Sequence, residues 1–150
     1  MTDVRRFPSS RRLPHFNAPE LERSLGEHGI DYLHIAELGG RRDPATDSPN
    51  SAWRVGQFRG YADHMATEQF LAALARLEGL AGERSTAVMC AEAQWWRCHR
   101  RLLSDALLVD GFEVLHIEAR GGTAPHELTE FAVVEDGRMR YPPAQAQLEL

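Results

Sequence analysis

Residues 85–101, Ser85-Thr86-Ala87-Val88-Met89-Cys90-Ala91-Glu92-Ala93-Gln94-Trp95-Trp96-Arg97-Cys98-His99-Arg100-Arg101, decide the fold. Ser85 to Cys90 is a short apolar run, the length of a buried strand and too short for a helix. A polar stretch follows. From Trp95 or Trp96 the apolar positions take helical spacing through Leu102, Leu103, Ala106, Leu107 and Val109, and Gly111 ends the helix. Strand, loop and helix in this order form half of a crossover between parallel strands.

The same alternation continues on both sides. Thr2 to Phe7 reads as a strand stopped by Pro8. Asn17 reads as an N-cap, with Pro19 in the first turn and Glu20 at capping-box spacing. Leu21 and Leu25 give that helix its apolar stripe, Gly29 closes it, and Ile30 to Ile35 alternates as a second strand. Ala36 to Gly60 has no apolar periodicity and reads as a long irregular loop, the kind that serves as a lid or binding loop. Thr67 caps a helix carrying Phe70, Leu71, Leu74 and Leu77, closed by Gly79 and Gly82. Downstream, Phe112 to Ile117 is a further strand, and Phe131 to Glu135 turns at Asp136-Gly137 into Met139 to Tyr141. The expected fold is α/β: a mostly parallel sheet with helices on both faces, plus a C-terminal β-hairpin. The 150 residues suit one domain, with residues 142–150 as a flexible tail.

Charge narrows the function classes. The 17 basic residues are all arginine, against 22 acidic ones, and the net charge is -5. Such a chain does not coat nucleic acid or membrane by bulk electrostatics. No apolar run approaches a membrane span, and two cysteines do not make a secreted disulfide framework, so a cytoplasmic location away from membranes is expected. The arginines are clustered at Arg5, Arg6, Arg11 and Arg12, at Arg41 and Arg42, and at Arg97, Arg100 and Arg101. Guanidinium forks bind carboxylate or phosphate bidentately, so clusters of this kind suit an anionic ligand.

Ligands of open α/β sheets bind beyond the carboxyl ends of the strands, and these polar clusters follow strands. Cys90, at a strand end facing a helix N-terminus with arginines nearby, has the setting of a thiolate nucleophile. The bland alternative is a half-buried thiol. The loop from Cys90 to Arg97 is similar to the anion cradle of cysteine phosphatases and rhodaneses, but it is one residue longer than the phosphatase loop and lacks the histidine before the cysteine. Cys98 shares a face with Leu102 and Ala106 and reads as a core residue. His99 lies on the face of Leu103 and Leu107, and Arg101 stands at pairing distance from Asp105 at i+4. Asp3 and Arg5 share one face of a strand, as a structural ion pair or as a base beside an anion-binding cation. Cys90, Cys98, His99 and His15 have no metal-ligand spacing, so no metal site is expected. Gly39-Gly40 forms neither a dinucleotide motif nor a P-loop.

Asp3-Val4-Arg5-Arg6-Phe7-Pro8, Ser10-Arg11-Arg12 through His15-Phe16-Asn17, Glu37-Leu38-Gly39-Gly40-Arg41, Phe58-Arg59-Gly60-Tyr61-Ala62-Asp63 and Met89-Cys90-Ala91-Glu92 with Cys98-His99-Arg100 together resemble the signature blocks of the domain of unknown function 488 family. The resemblance implies an α/β fold and a site, without a defined reaction; some members carry a DNA-repair label. Members usually open on a further strand and helix, so either the start codon of this sequence is assigned too late, or the form is N-terminally truncated and leaves a strand edge unpaired, open to aggregation or to a homodimer.

The expected site has Cys90, Asp3 and His99 as catalytic candidates. Arg5, Arg11, Arg12, His15, Glu37, Arg41, Arg59, Tyr61, Glu92 and Arg100 are the ligand-binding candidates. The ligand is a phosphorylated or otherwise anionic small molecule such as a nucleotide. The alternative is a nucleic-acid-linked accessory protein, with Trp53, Trp95, Trp96 or Phe58 stacking on bases. No cofactor follows from these motifs, and catalysis and simple binding both stay open.

Overall fold

The computed structural model describes residues 1–144; of the expected tail, residues 145–150 lie outside the described residues. The chain divides into two compact units, Met1–Gly39 with Ala72–Ala91 and Gly40–Leu71 with Glu92–Leu150.

The first unit is built on a parallel sheet. β1 (Thr2–Asp3), β2 (Leu33–His34) and β3 (Val88–Met89) run in the order β2-β1-β3, with Thr2 opposite both Leu33 and Val88. α1 (Ala18–Gly26) joins β1 to β2, and α3 (Glu68–Glu83) leads into β3, entering this unit at Ala72. The apolar runs read from the sequence are longer than the strands, because regular pairing is confined to two residues in each. Single backbone bonds extend it, from Val4 N–H to the Met89 carbonyl at 3.0 Å and from Ile35 N–H to the Asp3 carbonyl at 3.0 Å. β1 is paired on both sides. Val4, Ile35, Leu38 and Leu77 are buried, each contributing about 1.5–3 kcal/mol by leaving water.

Asn17 occupies the N-cap of α1 in an extended conformation, but its side chain makes no capping bond. Its Oδ1 instead accepts the Ser10 N–H at 2.5 Å. The expected capping box is therefore replaced by a tie across the preceding loop. Thr67 does cap α3, its Oγ1 accepting the Phe70 N–H at 3.2 Å.

The second unit departs further from the reading of the sequence. α2 (Gly56–Met65) starts inside the stretch read as an irregular loop. Its buried residues are Gly60, Tyr61, Ala62, His64 and Met65, a run with small and polar members that carries no clean apolar stripe. α4 (Arg100–Val109) begins later than Trp95, which lies in a single 3-10 turn, Trp95–Arg97. The strand at β4 (Leu115–Ile117) does not join the parallel sheet. It pairs antiparallel with β5 (Thr123–Pro125), and β6 (Val133–Glu135) pairs with β7 (Arg138–Arg140) in the expected hairpin. Asp136 and Gly137 turn that hairpin with φ of 50° and 72°, both in the left-handed region that such two-residue turns require. The described residues are thus α/β, with one three-stranded parallel sheet and two antiparallel pairs. Trp53 is ringed edge-on by Phe58, Phe131 and Tyr141, with centroids 4.8–5.4 Å away.

Candidate functional site

In the first unit, Asp3 and Arg5 leave β1 as a closed ion pair. Arg5 Nε donates to Asp3 Oδ1 and Oδ2 at 2.9 and 3.0 Å, Nη2 to Oδ2 at 2.5 Å, and the Arg5 backbone N–H to Oδ1 at 3.0 Å. Tyr32 OH donates to Oδ2 at 2.7 Å, and His34 Nε2 donates to the Arg5 carbonyl at 2.7 Å. Asp3 is 0% exposed. Burial pushes its carboxyl up, but the Arg5 and Tyr32 hydrogen bonds and the Arg5 charge outweigh that and hold it below 3.8. Burial and the hydrogen bond to Asp3 push Tyr32 up to about 12. Each Asp3 oxygen already accepts several donors, which suits an orienting group more than a proton acceptor.

Cys90 directly follows β3, the neighbour of β1, and is half-buried. The order β2-β1-β3 sends the β1–β2 and β2–β3 connections in opposite directions across the sheet. Arg11, Arg12 and His15 are exposed in the loop before α1, with the His15 ring 4.5 Å from Phe16. Glu37 lies half-buried in a 3-10 turn, Ala36–Leu38.

In the second unit, Tyr61 from α2 is fully buried, and its ring lies 5.0 Å from that of His99, at the N-cap of α4. Cys98 Sγ lies 3.6 Å from His99 Nδ1, and both residues are buried. Gly40 passes so close that a Cβ there would stand 2.6 Å from His99 Nδ1. Gly60 is bound in the same way, since a Cβ would collide with the Arg42 carbonyl. Arg41 is exposed in a left-handed conformation, with φ 59°. Arg100 Nη2 donates to the carbonyl of Glu92, whose side chain is exposed. Arg59 Nε and Arg100 Nε are buried with no acceptor among the described residues.

A second network, not anticipated from the sequence, centres on Asp105, which is 0% exposed. Its Oδ1 accepts His126 Nε2 at 2.8 Å and the Thr129 N–H at 2.9 Å, and its Oδ2 accepts Tyr141 OH at 2.8 Å. The expected i+4 pairing with Arg101 is absent; Arg101 Nε donates to Thr129 Oγ1 at 3.1 Å and its guanidinium lies over Trp53. His126 Nδ1 lies 2.9 Å from His116 Nε2, and the His116 ring stacks on Trp95 at 3.6 Å and 2°. Burial, the neighbouring His126 and the Arg100 charge push His116 down to about 4. Burial and the adjacent Asp105 carboxylate push the Tyr141 phenol well above 10. No spacing rule links Asp105, His116 and His126; the only sequence signal was a histidine at the middle of the Leu115-His116-Ile117 strand, where an apolar residue or an outward polar one is usual.

No helix among the described residues is long and apolar enough to cross a membrane. No curated protein and no solved structure matches the chain. The model of the family described as Domain of unknown function DUF488 matches residues 1–107, from β1 into α4 and short of His116, His126 and Tyr141. The signature blocks running from Asp3 to Arg100 fall within that span, and the chain belongs to this family.

Proposed function

We propose that the protein binds a phosphorylated or otherwise anionic small molecule, of nucleotide size, at the guanidinium groups of Arg59 and Arg100 in the second unit. The observation that carries this reading is the pair of buried Nε–H groups without an acceptor. A buried donor left unsatisfied costs about 1–3 kcal/mol, more when it is charged, and an anionic oxygen is its natural partner. The bond from Arg100 Nη2 to the Glu92 carbonyl fixes the guanidinium, so that little rotamer freedom is lost when a ligand arrives. Arg5 is not equivalent, because its fork is engaged by Asp3.

The cytoplasm is the natural setting for such a ligand, and both cysteines are thiols. We also infer that α1 and α3 cover opposite faces of the parallel sheet. Right-handed crossovers that leave β1 and β2 in opposite directions require it. A nucleic-acid role is the weaker alternative, because Trp53 is buried in an aromatic cluster and Trp95 is stacked on His116, which leaves Trp96 as the exposed indole.

The test is a thermal-shift and calorimetric titration with inorganic phosphate, pyrophosphate and nucleoside mono- and triphosphates. Binding is expected for at least one, reduced tenfold or more in Arg100→Ala and Arg59→Ala with the unliganded melting temperature kept within a few degrees. Failure of every anion to bind the wild-type protein, or equal binding by both variants, sinks the reading. Strongly salt-dependent binding of single-stranded DNA, lost in Trp96→Ala, favours the alternative.

A further inference from the structure

We propose that Asp105, His126 and His116 form a proton relay whose open end is His116 Nδ1, which accepts a proton from a hydroxyl group of an anionic ligand, or from a water beside it. The inference rests on the anion-binding reading for the charge of that ligand, and on the second unit's geometry for everything else.

With His126 neutral, the direction of the relay follows from hydrogen-bond valence. A carboxylate only accepts, so His126 Nε2 carries the hydrogen in its 2.8 Å bond to Asp105 Oδ1. The Nδ1 of a neutral His126 then bears a lone pair. His116 Nε2, 2.9 Å away, is the donor to it, and the lone pair of His116 is left on Nδ1. Trp95 holds the ring in this orientation by a face-to-face stack at 3.6 Å. Asp105 is held in turn by the Thr129 N–H and Tyr141 OH.

The proton balance is as follows. The ligand O–H bond breaks and its proton joins His116 Nδ1, leaving the bonding pair on oxygen. The proton on His116 Nε2 passes to His126 Nδ1. His116 is again neutral, in its other tautomer, and His126 becomes an imidazolium held against the Asp105 carboxylate, which itself stays unprotonated. The charged and titratable groups facing His116 make this arrangement necessary. Arg100 from α4 and His126 from the segment after β5 both oppose a cation on His116, and burial adds to them, so its imidazole is neutral until about pH 4. An isolated imidazole so depressed is a weak base. Moving the charge to His126, beside a fully buried carboxylate, removes that weakness.

Acylation by diethyl pyrocarbonate, read by peptide mass spectrometry between pH 5 and 8, tests the relay without a known substrate. The reagent adds to an unprotonated imidazole nitrogen, and the ring then loses the proton from its other nitrogen. His116 is expected to react at nearly the same rate across the range, whereas N-acetylhistidine in the same tube slows roughly thirtyfold toward pH 5, because ordinary imidazole protonates near 6.5. Asp105→Asn is expected to slow His116 at least tenfold at pH 7. Should that variant not fold, as judged by circular dichroism, His126→Gln is expected to give the same loss. A His116 that stays unmodified in the folded protein, or follows the N-acetylhistidine profile, overturns the relay; so does an unchanged rate in a folded Asp105→Asn. Inorganic phosphate at millimolar concentration is expected to protect His116. A flat pH profile without such protection upholds the relay and counts against the anion site, and phosphate binding to a protein whose His116 never reacts does the reverse.

Discussion

Two buried aspartates, one in each unit, have their hydrogen-bonding capacity met by different means. Asp3 in the first unit and Asp105 in the second are both fully buried, and each accepts a tyrosine hydroxyl, from Tyr32 and Tyr141. Asp3 faces a guanidinium two residues along the chain. Asp105 faces an imidazole from a segment 21 residues away, and behind that a second imidazole. The first arrangement is closed, because arginine stays protonated and the pair has nothing to pass on. The second can change state, because an imidazole gains and loses a proton where a guanidinium does not. Burial of a carboxylate therefore does not decide its role; the titration behaviour of its partner does.

Removing each carboxylate should expose this difference. Asp3→Ala leaves the Arg5 cation buried and uncompensated, and is expected to destabilise by about 4 kcal/mol, whereas replacing both partners by apolar residues, Asp3→Leu with Arg5→Met, should recover most of that loss. Urea unfolding measures both, and a single variant within 1 kcal/mol of wild type would show that water reaches the pair. Asp105→Ala strands three donors instead, the Thr129 N–H, Tyr141 OH and His126 Nε2–H, and is expected to cost on the order of 3 kcal/mol.

Acid separates the two units further. The folded-state value of His116 is lowered from 6.5 to about 4, so between these limits the unfolded chain takes up a proton that the folded chain does not. Stability should fall as pH drops through that window, by an amount on the order of 2 kcal/mol. Asp3 has its folded value below 3.8, so its contribution is fully present across the same window and is lost only as pH falls further. Melting temperatures of wild type and His116→Gln between pH 7 and 4 check the assignment: the variant should lose the upper part of the acid limb and keep the lower. If both proteins decline in parallel between pH 6.5 and 4, His116 is not the group responsible.

The first unit was far more legible than the second, and the reason is the range over which its contacts act. The period-two alternation of Ile30–Ile35, the apolar run before Cys90 and the Asp3–Arg5 spacing on one strand face are local patterns, and each corresponds to something in the structure. α2 was hidden because Gly60, Tyr61 and His64 stand where a helix would show leucines. The strand at β4 was visible but not its antiparallel partner, since Thr123–Pro125 has neither apolar alternation nor β-branched enrichment. The site divided in the same way. The contact of Asp3 with Arg5 follows from their spacing along the chain. Helical spacing pairs Asp105 with a neighbouring arginine, whereas three-dimensional packing sends Arg101 to Thr129 and Trp53, and Asp105 to His126.

The smallest expected effect is the most discriminating, because it compares like with like. Tyr32→Phe and Tyr141→Phe each delete one hydroxyl that donates to a buried carboxylate, over 2.7 and 2.8 Å. Asp3 Oδ2 keeps two donor nitrogens of Arg5 after the change, and Tyr32 is only half-buried, so water can replace part of what is lost. About 0.5 kcal/mol is expected there. Asp105 Oδ2 has Tyr141 as its one donor among the described residues, inside a region where Tyr141 itself is 0% exposed, so no water is at hand to substitute. About 1.5 kcal/mol is expected for Tyr141→Phe, with a further consequence that Tyr32→Phe cannot have. A carboxylate short of a donor becomes a stronger acceptor for its remaining partners, so the bond from His126 Nε2–H to Asp105 should strengthen and its proton resonance should move to higher chemical shift. Nuclear magnetic resonance of ¹⁵N-labelled histidines in the two variants reads this directly. An upward shift at His126 in Tyr141→Phe alone fits an open network around Asp105, and no shift in either variant means that Asp105 is as closed as Asp3.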